Sequence, residues 1–502
     1  MIILKHIGII DIGSNSVRLL FIELTSKNSF KILTELKEYV RLGAGFDSNG
    51  NITTEKIAEL LEILNLYKNF CDKFENSELI ITATEAFRKA KNRNSIAKKI
   101  KDTLSLNIRI LSGKEEAYYD YFSAINTLDI KDALVMDIGG ASTELIWIKD
   151  RTLKECVSLH FGALTLTEKF KLKNSIDSKQ EELLKKFLLE SFKDIPWIKD
   201  ISTSTLIGIG GSIRNLGKIS RRNENYPFDL IHNYIMSSKS AEDIYNEVKD
   251  KSTEQRKKIK GLSKNRADIF TGAACAVSSL VKLTKIKKII ICRNGLREGL
   301  LLSNLFNDEP IENILDFSIN NILLNNNANI KHSLHVYKLT KLLFSALKTI
   351  HRIDASFDKV IKTAAMLHDV GINISFYYNH RHSSYIILNS YLFGISHKER
   401  IISACIAIYQ RSENLDSILE EYNSILEKED IYAIKIIGVL LRIAANLDKD
   451  LSGSIYDLNC QIDNDIVIIK TISDSSSTFL IKEAMVSSSL FKAAFNKSLY
   501  IV

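Results

Sequence analysis

The chain has 502 residues, 45% hydrophobic and 25% charged, with 21 Gly and only 3 Pro. That composition excludes a disordered, collagen-like or low-complexity chain and supplies apolar material for several cores; at about 100–200 residues per domain, three or four domains are expected. Sixty-eight basic and 60 acidic residues leave a net charge of +8, which fits a preference for anionic partners and equally an overall lysine-rich wording. No apolar run reaches the roughly 18–20 residues that span a bilayer, so no membrane partner is expected. The N-terminal run MIILKHIGIIDIG lacks an apolar stretch closed by a small-residue cleavage site, so no secretory leader is expected either. The six Cys are scattered and form no Cys-x-x-Cys pair, the usage of a reducing cytosol.

In chain order, residues 7–10 (IGII) predict a strand, 11–16 (DIGSNS) a turn, and 17–22 (VRLLFI) the returning strand. A second copy follows: a strand over 133–136, the turn DIGGAST from Asp137, and a strand over 144–148. Two strand-turn-strand units about 125 residues apart, each opening on Asp-Ile-Gly, indicate a duplicated α/β subdomain. Helical periodicity dominates between them, over 57–70 and 117–128. A third glycine turn, IGIGGS at 207–212, precedes a helix, and a fourth, GLREG at 295–299, follows the apolar residues 289–291. Residues 307–310 (NDEP) read as a linker. From there the pattern is helical to about residue 451, and QIDNDIVII at 461–469 predicts a hairpin.

Each Asp-Ile-Gly turn has a physical use. Glycines let backbone N–H groups approach an anion, neighbouring hydroxyls add donors, and an Asp at a strand end can hold a divalent cation. Two such turns with a third between strand and helix resemble the actin-like phosphotransferase layout, in which a phosphate chain lies between duplicated lobes. The finer wording resembles one branch of it. DIGSNSVRL (11–19), ATEAFR (83–88), SGKEEA (112–117), DIGG (137–140), FGA (161–163) and GLREG (295–299) are similar in order and spacing to the exopolyphosphatase/guanosine pentaphosphate phosphohydrolase (Ppx/GppA) family signature, over roughly residues 5–305.

The resemblance implies two duplicated actin-like (ribonuclease H-like) α/β lobes at 1–125 and 126–305. An all-α HD-like domain at 311–455 and a small α+β region at 456–502 would follow. It implies hydrolysis of the terminal phosphoanhydride of inorganic polyphosphate, with guanosine pentaphosphate (pppGpp) as alternative substrate, in the cytoplasm, by a homodimer with no nucleic-acid partner. A non-catalytic sensor of either anion is the rival reading. Ser112 followed by Glu115 is a capping box that occupies Glu115 locally; the family's general base is therefore placed on Glu116. Asp11, Asp137 and Glu144 would hold Mg2+, with Mn2+ as the alternative. Ser14, Asn15, Gly139, Gly140, Ser142, Gly210, Gly211 and Ser212 would bind phosphate, and Arg88 would fork onto it. One departure is Ala141, where the family shows a third Gly; a positive φ there would strain it.

In the helical part, His335, His368-Asp369 and Asp448 resemble the HD-type metal phosphohydrolase pattern, with His380 and His382 as further candidates. Satisfied core histidines are the plainer reading. Lys331, Lys341, Arg352, Lys362, Arg381 and Arg442 could extend a basic track.

Overall fold

The computed structural model describes residues 5–26, 28–412, 414–474 and 476–502. The first four residues of the N-terminal run lie outside them. Two compact units divide the chain, Met1–Glu312 and Asn313–Val502. The boundary falls just after the segment read as a linker, and the helical part and the C-terminal region together form the second unit.

The first unit is built twice on one plan. β1 (Lys5–Ile12), β2 (Val17–Ser26) and β3 (Ser29–Glu38) form an antiparallel meander, and β4 (Ser77–Ala83) and β5 (Arg109–Ile110) add in parallel beside β1. The order is β3-β2-β1-β4-β5. In the second sheet β6 (Ala133–Ile138), β7 (Thr143–Lys149) and β8 (Thr152–Leu159) repeat the meander. β9 (Thr205–Ile209) and β11 (Lys288–Ile291) take the places of β4 and β5, and β10 (Tyr234–Ser237) adds an antiparallel edge. β1 and β6 are the central strands, buried almost throughout, as strands covered on both faces must be. Each sheet has its own core: Ile10, Leu19 and Phe21 in the first, Met136, Leu145 and Ile213 in the second.

The helix Gly113–Thr127 carries Glu116, and its start is set by the capping box foreseen in the sequence. The Glu115 N–H donates to Ser112 Oγ at 3.2 Å, and the Ser112 N–H donates to Glu115 Oε2 at 2.8 Å. Arg109 adds an ion pair to Glu115 at 2.5 Å. Against burial, those hydrogen bonds and Arg109 hold the Glu115 carboxyl down at about 2. Glu115 is spent on the helix start, and Glu116 is left to face inward.

The second unit is helical from Ile314 to Leu447, in helices that include Ile330–Ala346, Asp358–Leu367, His397–Tyr409 and Lys428–Leu447. It closes with β12 (Ile455–Ile462) and β13 (Ile466–Ser473), the expected hairpin, joined in parallel by β14 (Ser498–Ile501).

Ser112→Ala removes the N-cap acceptor of the Glu116 helix. It should cost about 1 kcal/mol and lower the first unit's melting temperature by roughly 2–4 °C, read by circular dichroism; an unchanged melting curve would show that the cap carries no stability.

Candidate active site

The two central strands end in the same loop. Gly13 N–H donates to Ser16 O at 3.1 Å in one copy, and Gly139 N–H donates to Ser142 O at 3.0 Å in the other. The register is also the same. Asp11 stands opposite Arg18 across β1–β2, and Asp137 stands opposite Glu144 across β6–β7. Residues directly opposite in an antiparallel pair share a face. The duplicated fold therefore delivers an Asp to one side of each turn, with a cation beside one and a carboxylate beside the other.

Asp11, Asp137 and Glu116 line one cavity of about 110 Å3. So do five of the expected phosphate-binding residues around the two loops, Ser14, Asn15, Gly139, Gly140 and Ser142. Gly210 and Gly211, at the start of the helix Gly210–Asn223, close it on the β9 side. A helix N-terminus adds unpaired N–H groups and a positive dipole end to such a site. Gly210 has φ +89°, and a Cβ there would lie 2.4 Å from Asp137 Oδ1; at Gly211 it would lie 2.3 Å from the Arg266 guanidinium. Both glycines let charged groups lie flat against the turn.

Burial is the largest influence on the carboxylates. It raises Glu116 to about 7, opposed by Arg88 and reinforced by Asp11 and Asp137. Asp137 is raised to about 6, again by burial, with Arg214 and Arg18 pulling it back. Asp120, one helical turn beyond Glu116, is pushed well above its ordinary value by burial and then by Asp137, Glu144 and Glu116. Glu144, itself buried and accepting from Ser158 Oγ at 2.7 Å, is raised by burial and by Glu116 and Asp137.

Five arginines, Arg18, Arg214, Arg266, Arg293 and Arg297, line the same cavity and also a second one, of about 320 Å3, together with Lys37, Tyr39 and Lys218. Arg214 and Arg266 are each lowered to about 10, by burial first and then by like charges that include Arg18. Lys37 is lowered to about 7 by burial, then by Arg18, Arg266, Arg214 and Arg297. Arg293 and Arg297 both reach Glu35, at 2.8 and 3.4 Å.

Nine of the expected residues thus meet at one cavity with Glu116, and three stand elsewhere. Arg88 does not line it. Its Nη1 donates to Glu116 Oε2 at 2.7 Å and to Leu111 O at 2.8 Å, and its Nε donates to Glu85 Oε2 at 2.8 Å. It holds the carboxylate in place and is not a free fork for phosphate. Ser212 is buried beneath Arg266, accepting from Nη1 at 3.3 Å. Glu144 faces Ser158, behind Asp137. Ala141 is absent from the residues with positive φ and is 4% exposed, so its methyl is packed and unstrained. The residues not foreseen are the arginines, Lys37 and Asp120. Asp120 had a signal, the i+4 spacing from Glu116, and so had Arg18 and Arg297, which lie inside the DIGSNSVRL and GLREG motifs; Arg214, Arg266 and Arg293 had none.

Asp11 Oδ1 and Asp137 Oδ1 are buried with no hydrogen-bond partner among the described residues. Two orphaned carboxylate oxygens are hard donors of the kind that fit Mg2+ or Mn2+.

In the second unit the histidine that joins His368 and Asp369 is His332, three residues before the expected His335. His335 donates from Nε2 to Ile455 O at 2.8 Å and lies 3.0 Å from Asp448 Oδ1. His380 and His382 are not in that cluster.

Residues 22–308 match the model of the Ppx/GppA phosphatase family, and residues 314–492 match that of Ppx/GppA phosphatase, domain III. A bifunctional 3-dehydroquinate synthase/phosphatase of Fusobacterium nucleatum is 31% identical over 311 residues, 59% of this chain and 46% of that one. The chain therefore spans less than half of that relative. A guanosine-5'-triphosphate,3'-diphosphate pyrophosphatase of Pseudoalteromonas atlantica is 24% identical over 83% of this chain and 81% of its own. The crystal structure of an Aquifex aeolicus Ppx/GppA family member superposes with a TM-score of 0.53 at 25% identity, over 61% of this chain and 99% of its own. That of an exopolyphosphatase from Cytophaga hutchinsonii superposes with a TM-score of 0.57 at 24% identity, over the same shares.

Two substitutions at the loops should move in ways that sterics dictate. Gly210→Ala forces an L-residue into the left-handed region against Asp137 and should cost at least about 1–2 kcal/mol in chemical denaturation. Ala141→Gly should destabilise slightly, by under about 1 kcal/mol, because it adds backbone freedom and relieves no strain. A gain in stability at 141 would mean the methyl is strained after all.

Proposed function

The chain belongs to the Ppx/GppA phosphatase family, and from that premise we propose that its first unit hydrolyses the terminal phosphoanhydride of inorganic polyphosphate, releasing orthophosphate. The observation that carries the reading is the run of five arginines common to both cavities, which starts at the carboxylate cluster and continues beside Lys37 and Lys218. Buried guanidiniums that repel one another are a standing demand for anions, and a string of phosphates meets it along its whole length.

Glu116 acts as general base, taking a proton from water set in line with the terminal phosphorus. Arg88 orients its carboxylate and keeps its pKa from rising further. The amides of the two loops and of the Gly210 turn, together with Arg18, Arg214 and Arg266, take up charge on the phosphoryl oxygens. Mg2+ or Mn2+, held by Asp11 and Asp137 with Asp120 and Glu144 behind them, would supply Lewis-acid neutralisation of those oxygens. Six free cysteines, four of them buried, fit the cytoplasmic setting that belongs to this reading.

The second reading is 5'-phosphohydrolysis of pppGpp. It is favoured by the relatives from Pseudoalteromonas atlantica and Vibrio atlanticus, named guanosine-5'-triphosphate,3'-diphosphate pyrophosphatases, and by Tyr39, which puts an aromatic ring in the wall of the second cavity. Both substrates present a terminal phosphoanhydride to one centre.

Phosphate release from long-chain polyphosphate and from pppGpp, measured in parallel with Mg2+, should fall by about 10²–10⁴-fold in Glu116→Gln. The ratio of the two wild-type rates decides the substrate. Tight binding of either anion without any release would replace the enzyme by a sensor.

Lys37 gives a separate readout. With its pKa near 7 it is about half neutral at pH 7, and a bound polyanion favours its charged form. Polyphosphate binding at pH 7 should therefore take up protons, seen as a binding enthalpy that varies with the buffer's ionisation enthalpy. Lys37→Met should reduce that uptake.

A further inference from the structure

The five arginines shared by the two cavities are not equivalent, and a carboxylate makes the difference. Glu35 and Lys37 stand two apart on β3, so they share one face of the strand, and Lys37 is opposite Arg18 across β2–β3. Both line the second cavity. Among the described residues that line it, five arginines and two lysines meet one carboxylate, that of Glu35. The cavity that holds Glu116 is not lined by Glu35.

Each oxygen of Glu35 takes one guanidinium. Oε1 is 2.8 Å from Arg293 Nη2 and Oε2 is 3.4 Å from Arg297 Nη2. Burial works to raise the Glu35 carboxyl, but Arg297 and Arg293 outweigh it and hold it below its ordinary value, so it stays ionised in the neutral range. Arg297 shows the reciprocal effect: burial works to lower it, and Glu298 and Glu35 raise it instead. Arg214 and Arg266 pair with no carboxylate among the described residues. Arg214 donates to Arg293 O at 2.9 Å and Arg266 to Ser212 Oγ at 3.3 Å, and burial and like charge depress both. The run of cations therefore has two unlike stretches. Arg18, Arg214 and Arg266 await an anion, whereas Arg293 and Arg297 already hold one. A carboxylate shared between two guanidiniums takes the place that a phosphoryl group would take there.

Resting on the polyphosphate reading of the first unit, we propose that Glu35 is a specificity-determining residue, a fixed negative charge that weakens the hold on long polyanions relative to short ones. A short anion at the Glu116 cavity is served by the loop amides and by Arg18, Arg214 and Arg266. A long one continues into the second cavity, where it meets the Glu35 carboxylate and finds Arg293 and Arg297 engaged. Like charge placed against one class of ligand discriminates as effectively as attraction to another.

The test compares dissociation constants for long-chain polyphosphate and tripolyphosphate, measured by calorimetry on the full-length protein in chelator so that binding is read apart from Mg2+-dependent turnover. Glu35→Gln should bind long-chain polyphosphate roughly 2–10-fold more tightly and tripolyphosphate with a smaller gain, so the preference for the long chain rises. Glu35→Asp, which keeps the charge, should retain the wild-type preference. Glu35 is 33% exposed on an edge strand, and Glu35→Ala provides a second variant without the charge. A preference that is unchanged or lower in the uncharged variants overturns the proposal, and so does an equal rise in Glu35→Asp. Because binding alone is compared, the result stands even where neither polyphosphate nor pppGpp is hydrolysed. A wild type that binds no polyphosphate of either length overturns the reading of the first unit, and the role of Glu35 with it.

Discussion

Buried like charge governs the first unit. Asp11, Glu116 and Asp137 meet at one cavity with Asp120 and Glu144 close behind, and burial lifts four of the five well into or above the range where a carboxyl titrates. Water would ordinarily keep such groups apart or screen them; here the strands and one helix turn hold them together. The arginines present the mirror problem, since Arg214 and Arg266 are depressed by burial and by other guanidiniums. Each set keeps an electrostatic demand that the protein alone leaves unmet. An anion and a cation brought in together would meet both demands, so the two kinds of electrostatic strain in the cavity have one cause.

Duplication explains how a chain assembles that cavity without a continuous motif. A strand that ends in Asp-Ile-Gly, followed by a tight loop and an antiparallel return, places the Asp and its cross-strand partner on one face whatever lies between the copies. What differs is the partner. Arg18 beside Asp11 supplies a cation, while Glu144 beside Asp137 deepens the carboxylate cluster. The asymmetry is local to the strand pairs, since Glu116 and Asp120 come from the first lobe and Arg214, Arg266, Arg293 and Arg297 from the second.

The strands, both loops, the capping box and the hairpin could be read from residues alone, because each is a local pattern with a period or a cap behind it. Partners brought together by the fold could not. Arg88 looked like a phosphate fork on its helix, and only the approach of the Glu116 helix shows that its donors are taken. The Ala141 backbone depended on a φ that no residue type dictates. His332 and His335 sit three apart on one helix, so periodicity puts them on neighbouring faces and does not choose. The choice is made by β12, whose Ile455 carbonyl takes up His335, and by Asp448, which orients His332.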